Sequence, residues 1–343
     1  DFDIKLMPVP SAAGSEQEKL NLVASLGEGD DGLVLAGHTD TVPWDESAWS
    51  FNPFSLTEKD GRLYGLGTSD MKCLFPLAIE AVQTFTAGDF KSPLTILATA
   101  DEESSMAGAK ALKDSGLNPG AHALIGEPTG LTPVIKHKGI FIERIELIGQ
   151  SGHSSDPALG NSALEGMNTV INRLLEWRTD LQSRFRDEAF RVPVPTMNLG
   201  AIRGGDNPNR ICASCELSMD LRLLPGMTLA EIKTALHEKV RSAIADTGLK
   251  VSFNGNFDGV AGMDTDPDAE IVRLAEKLTG KPATSVAFGT EGPYFNAMGM
   301  NTVILGPGDI EVAHQADEYI HRDRLQPMQN ILEHMIRHFC VKK

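Results

Sequence analysis

The sequence is short of positive charge: 31 lysines and arginines face 47 acids, for a formal net charge of −16. Nucleic acid and anionic membrane both demand a basic surface, so neither is expected as a partner. No apolar run is long enough to cross a membrane or act as a secretory leader. Cysteine is scarce, and Cys73, Cys212, Cys215 and Cys340 in 343 residues make no disulfide framework, which points to the cytoplasm. The one Cys-x-x-Cys, Cys212 to Cys215, falls in an expected strand, where residues three apart face opposite sides and cannot share a structural zinc. No Gly-x-Ser-x-Gly elbow supports a serine hydrolase, and no P-loop supports phosphate chemistry. Internal repeats and low-complexity segments are absent as well.

What is present suits a globular α/β chain of two domains, with 41% hydrophobic residues to fill a sizeable core. The chain opens at Asp1 without an initiator methionine and enters an apparent strand at once, so a longer natural chain is expected. Residues 2–9 and 20–26 read as edge strands around a turn at Ala12-Ala13-Gly14-Ser15. Helical spacing of Leu74, Leu77, Ala78, Ala81, Val82 and Phe85 predicts a helix over 70–86, and another follows over 105–115. From about 138 the order strand, helix, strand, strand, helix, strand is that of a ferredoxin-like α+β unit. The expected division is 1–138 and 259–343 for a first domain, with 139–258 inserted as a second.

Four apolar runs end at acids or histidines: Leu33–Ala36 before His38 and Asp40, Leu94–Ala98 before Asp101-Glu102-Glu103, Ala123–Ile125 before Glu127, and Val303–Leu305 before the loop to His314. Asp70 adds a carboxylate at the expected helix start. Ligands of open α/β sheets bind beyond the carboxyl ends of the strands, so these residues can converge from far apart in sequence. Taken singly, each has an ordinary reading: Asp70 as a helix-dipole acid, Glu127 as a turn acid, His314 as a loop histidine. Their shared position at strand ends favours a site. Asp40, two residues past His38, can orient its imidazole. Two histidines and three carboxylates exceed one tetrahedral zinc but suit two ions about 3.5–4 Å apart that share a carboxylate and a water. Imidazole with carboxylate favours zinc, with cobalt or manganese admissible.

The stretches Gly37-His38-Thr39-Asp40-Thr41-Val42-Pro43, Gly65-Leu66-Gly67-Thr68-Ser69-Asp70-Met71-Lys72, Thr99-Ala100-Asp101-Glu102-Glu103 and Gly126-Glu127-Pro128 resemble the signatures of the M20 family of dinuclear zinc amidohydrolases and peptidases. Ser151-Gly152-His153, Asn209-Arg210-Ile211-Cys212, Asp220-Leu221-Arg222, Gly289-Thr290-Glu291-Gly292-Pro293 and Ala313-His314-Gln315 extend the likeness along the chain. The resemblance implies a mixed-sheet, zinc-peptidase-like catalytic domain with an inserted lid and dimerisation domain, two Zn2+ per subunit (Co2+ a possible substitute) and a homodimer. It implies that His38 and Glu127 hold one metal, Glu103 and His314 the other, and Asp70 both. Glu102 would be general base and acid, with His153 reaching an active site to polarise the scissile carbonyl. Asn209 and Arg222 would meet the substrate's carboxylate, and Glu291 its cationic end. The implied substrate is a small N-acetyl amino acid, N2-acetyl-L-ornithine, with N-succinyl-diaminopimelate the rival. A metal-stabilised binding protein is the alternative outside enzymes, and the non-ligating Glu102 argues against it. Cys73 departs from the small glycine common after Asp-Met-Lys, and the family's N-terminal helix has no counterpart here.

Overall fold

The computed structural model of the protein describes residues 2–10, 18–255 and 257–341. The chain forms two units, Asp1–Lys136 with Met263–Ser285 and Thr290–Lys343, and His137–Gly262 with Val286–Gly289. No helix among the described residues is long and apolar enough to cross a membrane.

The first unit begins with β1 (Asp3–Val9), β2 (Lys19–Leu26), β3 (Leu33–His38), β4 (Thr57–Lys59) and β5 (Arg62–Tyr64). It continues through α1 (Leu74–Val82), β6 (Leu94–Thr99), α2 (Ala107–Asp114), β7 (His122–Ile125) and β8 (Val134–His137). The second unit holds β9 (Gly139–Ile148), α3 (Ala163–Arg184), β10 (Thr196–Gly204), β11 (Ser214–Leu223), α4 (Leu229–Ala243) and β12 (Lys250–Phe253). The first resumes with β13 (Met263–Asp264), α5 (Glu270–Thr279), β14 (Thr284–Val286), α6 (Gly292–Ala297), β15 (Asn301–Ile304), β16 (Tyr319–His321) and α7 (Leu325–Cys340).

A nine-stranded mixed sheet in the order β1-β2-β6-β3-β7-β15-β8-β13, with β14 on β8, organises the first unit. Every residue of β3 is buried, as a strand covered on both faces requires, and this is why it reads as a continuous apolar run. Strands β6, β3, β7 and β15 are neighbours and mutually parallel, so their carboxyl ends share one edge. The segment 20–26 is not an edge strand: β2 pairs with β1 on one side and β6 on the other. The turn expected at residues 12–15 lies outside the described residues. The helix expected from 70 starts only at Leu74, because residues 66–73 form turns.

In the second unit β10-β11-β9-β12 form a four-stranded antiparallel sheet. Alternation along β9 buries Phe141, Ile145 and Leu147 beneath Met167, Val170 and Leu174 of α3 and Leu236 and Val240 of α4. The Ser162 hydroxyl caps α3 by accepting the Glu165 N–H, which stops the helix from reaching back to 161. All four cysteines are free, and Cys212 stands ahead of β11 rather than within it.

Candidate active site

Strand register explains how distant residues meet. His38 ends β3 level with Thr99 of β6, and Ala36 is level with Ile125 of β7, which brings Glu127 level with His38. Beyond Thr99, Asp101 turns the chain with a left-handed backbone (φ 65°) and pairs with Lys19 at 2.5 Å. Its carbonyl takes the N–H groups of Ser105 and Met106. Glu102 and Glu103 are thereby held in a tight turn. Beside Glu127, Gly306 passes so closely that an added Cβ would lie 2.2 Å from the Gly126 carbonyl oxygen; only glycine fits.

The structure brings the five expected ligands together. His38, 1% exposed, has Nε2 3.2 Å from Asp70 Oδ1. His314 Nε2 lies 3.2 Å from Asp70 Oδ2 and 3.1 Å from Glu103 Oε2. The Asp70 carboxylate therefore spans the two imidazoles. Donor atoms of His38, Glu102 and Glu127 lie within 4.8 Å of one another, as do those of His38, Asp70 and Glu103. Asp70 itself sits in the turn ahead of α1, not at the helix start, so the dipole reading does not apply.

Asp40 orients His38 by a route the sequence did not indicate. The imidazole Nδ1 donates to the Asp40 backbone carbonyl at 2.9 Å, while the Asp40 carboxylate stands 3.7 Å from Nδ1. That carboxylate accepts the N–H groups of Glu102 at 3.2 Å and Glu103 at 3.1 Å. One residue thus fixes the histidine's tautomer and the carriage of both glutamates.

Charge in this cluster is badly matched without a cation. Burial lifts Glu127 well above the usual carboxylate range, and Asp70 and Glu102 add to it while His38 opposes. Burial lifts Glu102 likewise, against His38 but with Glu291, Glu103 and Asp70. Burial works against a charged His38, yet the Asp70 hydrogen bond and the fields of Glu127, Glu102 and Asp70 hold its pKa well above the ordinary value. Hydrogen bonds to Asp70 and Glu103 raise His314 to about 10 despite burial. Burial would raise Asp70 too, but His314 and His38 hold its carboxyl well below the usual range. Crowded carboxylates around two imidazoles, with nitrogen and oxygen donors and no sulfur, fit a divalent metal centre.

The remaining predicted residues divide. Glu291 is 1% exposed and immediately precedes α6, which opens with Gly292-Pro293. Its Oε2 accepts the Thr99 hydroxyl at 2.7 Å and its Oε1 has no hydrogen-bond partner. This is a buried position against a strand end. On the second unit, the backbone of exposed His153 forms an isolated antiparallel β-bridge with Arg210, and Ser154 N–H donates to the Asn209 carbonyl, so His153 and Asn209 lie on adjoining segments. Ser155 N–H donates to His153 Nδ1, leaving Nε2 to carry the proton of the neutral ring. Arg222 lies on β11, where its Nε donates to Asp220 at 2.9 Å. Sequence reasoning missed Thr99, which ties Glu291 to the Gly37 carbonyl, and Glu318, whose only sequence signal is its place just after His314.

The sequence model of peptidase family M20/M25/M40 matches residues 34–338. The acetylornithine deacetylase of Proteus mirabilis is 45% identical over 340 residues, 99% of this chain and 87% of the relative. That of Edwardsiella ictaluri is 46% identical with the same coverage. Among solved structures, an M20 family metallo-carboxypeptidase of Sulfolobus solfataricus aligns with a TM-score of 0.76 at 16% identity, covering 98% of this chain and 90% of its own. Aminopeptidase PepT of Bacillus cereus aligns with a TM-score of 0.75 at 19% identity, covering 98% and 89%. These structures share the fold. With the family pattern running through both units, this chain belongs to peptidase family M20/M25/M40.

Proposed function

We propose that this protein is a metal-dependent amidohydrolase that removes the acetyl group of N2-acetyl-L-ornithine, giving L-ornithine and acetate. The chemistry rests on the Asp70 carboxylate set between the Nε2 atoms of His38 and His314, 3.2 Å from each. The choice of substrate is supported by likeness to the two acetylornithine deacetylases. His38 and Glu127 would hold one zinc ion, Glu103 and His314 the other, and Asp70 both, with cobalt a substitute. When bound, the pair supplies Lewis-acid polarisation of the acyl carbonyl and a water acidic enough to lose its proton near neutral pH.

The protein's own groups handle the proton and the geometry. Glu102 accepts the attacking water's proton and returns it to the departing α-amine. Burial keeps its pKa up against the pull of His38, the direction a proton carrier working near neutrality needs. Asp40 keeps His38 Nε2 facing the ligands and keeps Glu102 and Glu103 in register with it. His153, with Nε2–H free to donate, is assigned to the carbonyl oxygen, and Asn209 and Arg222 to the substrate's carboxylate. His153→Ala should lower kcat at normal metal content; an unchanged kcat would remove it from the mechanism. The working form is taken to be a cytoplasmic homodimer serving arginine biosynthesis.

Chelator-stripped and zinc-loaded protein, each offered N2-acetyl-ornithine and N-succinyl-diaminopimelate, tests the reading. Zinc-dependent acetate release supports it. Succinate release alone would keep the mechanism and change the substrate, and no turnover at full metal content would return the binding-protein alternative.

A further inference from the structure

Glu318 follows the His314 loop and is 2% exposed. Its carboxylate collects three backbone N–H donors from one turn: Gly67 at 2.9 Å on Oε2, and Ser69 at 2.7 Å and Asp70 at 2.9 Å on Oε1. Neighbouring amides converge like this only in a tightly wound turn, and Gly67 supplies the left-handed residue (φ 82°) that winds it. A carboxylate accepting three amides is fixed at both oxygens, and it fixes the amides in return. Asp70, one of the three, carries the side chain that lies between His38 and His314.

The backbone around Glu318 is tied to the same region. Gly65 N–H donates to the Glu318 carbonyl at 3.0 Å, and Tyr319 pairs with Tyr64 where β16 meets β5. Asp317 accepts the Ser50 N–H at 2.8 Å. The Ser69 hydroxyl donates to the Asp309 carbonyl at 3.0 Å and accepts the Asp309 N–H at 2.9 Å. The segments presenting Asp70 and His314 are therefore joined through the buried Glu318 carboxylate and through the backbone and hydroxyl bonds around it.

We propose that Glu318 is a positioning residue of the metal centre: by gathering the Gly67, Ser69 and Asp70 amides it aims the Asp70 carboxylate to be shared by two cations and fixes its spacing from His314. No step of the proposed hydrolysis uses Glu318. The proposal rests on the metal-centre reading of His38, Asp70, Glu103, Glu127 and His314, and not on the identity of the substrate. A purely structural role for the same side chain would hold the turn without affecting the metals, and the two roles predict different measurements.

The test uses the full zinc-loaded chain. Glu318→Gln keeps the shape but turns one acceptor oxygen into an NH2 group facing an N–H. Zinc retention against graded chelator should weaken by about 10–100-fold, the range for partners that orient a ligand. On N2-acetyl-ornithine at saturating zinc, kcat should fall while KM holds. Glu318→Asp, which keeps the charge on a shorter arm, should lie between Gln and wild type. Added to Asp70→Asn, Glu318→Gln should cause no further loss of zinc, because both act on one ligand. Wild-type zinc retention in folded Glu318→Gln, or additive losses in the double variant, would overturn the proposal. Failure of both Glu318 variants to fold would make the residue structural and equally end it. Weakened zinc retention in a protein whose wild type leaves N2-acetyl-ornithine intact would sink the substrate reading and leave Glu318 in place.

Discussion

Replacing Glu291 with glutamine removes a charge from the interior while keeping the side chain's volume. The acid is 1% exposed, with one oxygen on the Thr99 hydroxyl and the other without a hydrogen-bond partner. Burial raises its pKa from 4.5 to about 7, against the Thr99 hydrogen bond. At about 1.4 kcal/mol per pH unit, that gap corresponds to about 3 kcal/mol. The fold favours the protonated acid, so this contribution is fully present below pH 4.5 and is lost as pH rises through about 7. Glutamine does not ionise. Relative to wild type, Glu291→Gln should therefore gain about 3 kcal/mol as pH rises across that window. Urea unfolding of both proteins in parallel at each pH measures it. Chelator-treated protein is the right material, because a nearby cation would favour the carboxylate and compress the difference. A stability difference independent of pH, or one that moves against the variant as pH rises, would refute the reasoning. The same variant also tests the substrate contact that the sequence suggested: a raised KM would support it, and an unchanged KM would remove it.

Glu102→Gln should lower kcat by about 10²–10⁴-fold with metal content intact, as loss of a positioned proton carrier does; near-normal turnover would transfer the role to another group. Chelation should abolish hydrolysis, and zinc added back should restore it up to two equivalents per chain, whereas full recovery at one equivalent would refute a working pair. In the second unit, Phe141→Ala empties a fully buried site and should destabilise by about 3–5 kcal/mol in urea unfolding. A change well below that would mean the surrounding core collapses into the space.

Much of the candidate site could be read in advance, because most of its residues follow buried apolar strands. Leu33–Ala36 is apolar throughout because β3 is covered on both faces, and residues at and just past the end of a buried parallel strand sit at the ligand-binding edge. The second unit was legible for a related reason: β9 alternates at period two and α3 keeps its apolar residues at helical spacing. Boundaries were less so. The apolar spacing that marks α1 begins at Leu74, and residues 70–73, assigned to that helix, are turns, with the Ser69 and Asp70 amides held by a carboxylate from a distant segment.

Residue types and their placement at strand ends were determined by the sequence alone: which histidines and acids could hold metals, and that Glu102 could move a proton beside them. Only the tertiary structure decided which atoms meet. It gave Asp40 its carbonyl for His38 and its carboxylate for two amides, drew Glu291 inward against Thr99, and placed Glu318 under the Asp70 turn. Local sequence encodes periodicity and propensity, which act over a few residues. Burial and hydrogen bonding of a carboxylate depend on which remote backbone arrives beside it, and that is a property of the packed chain.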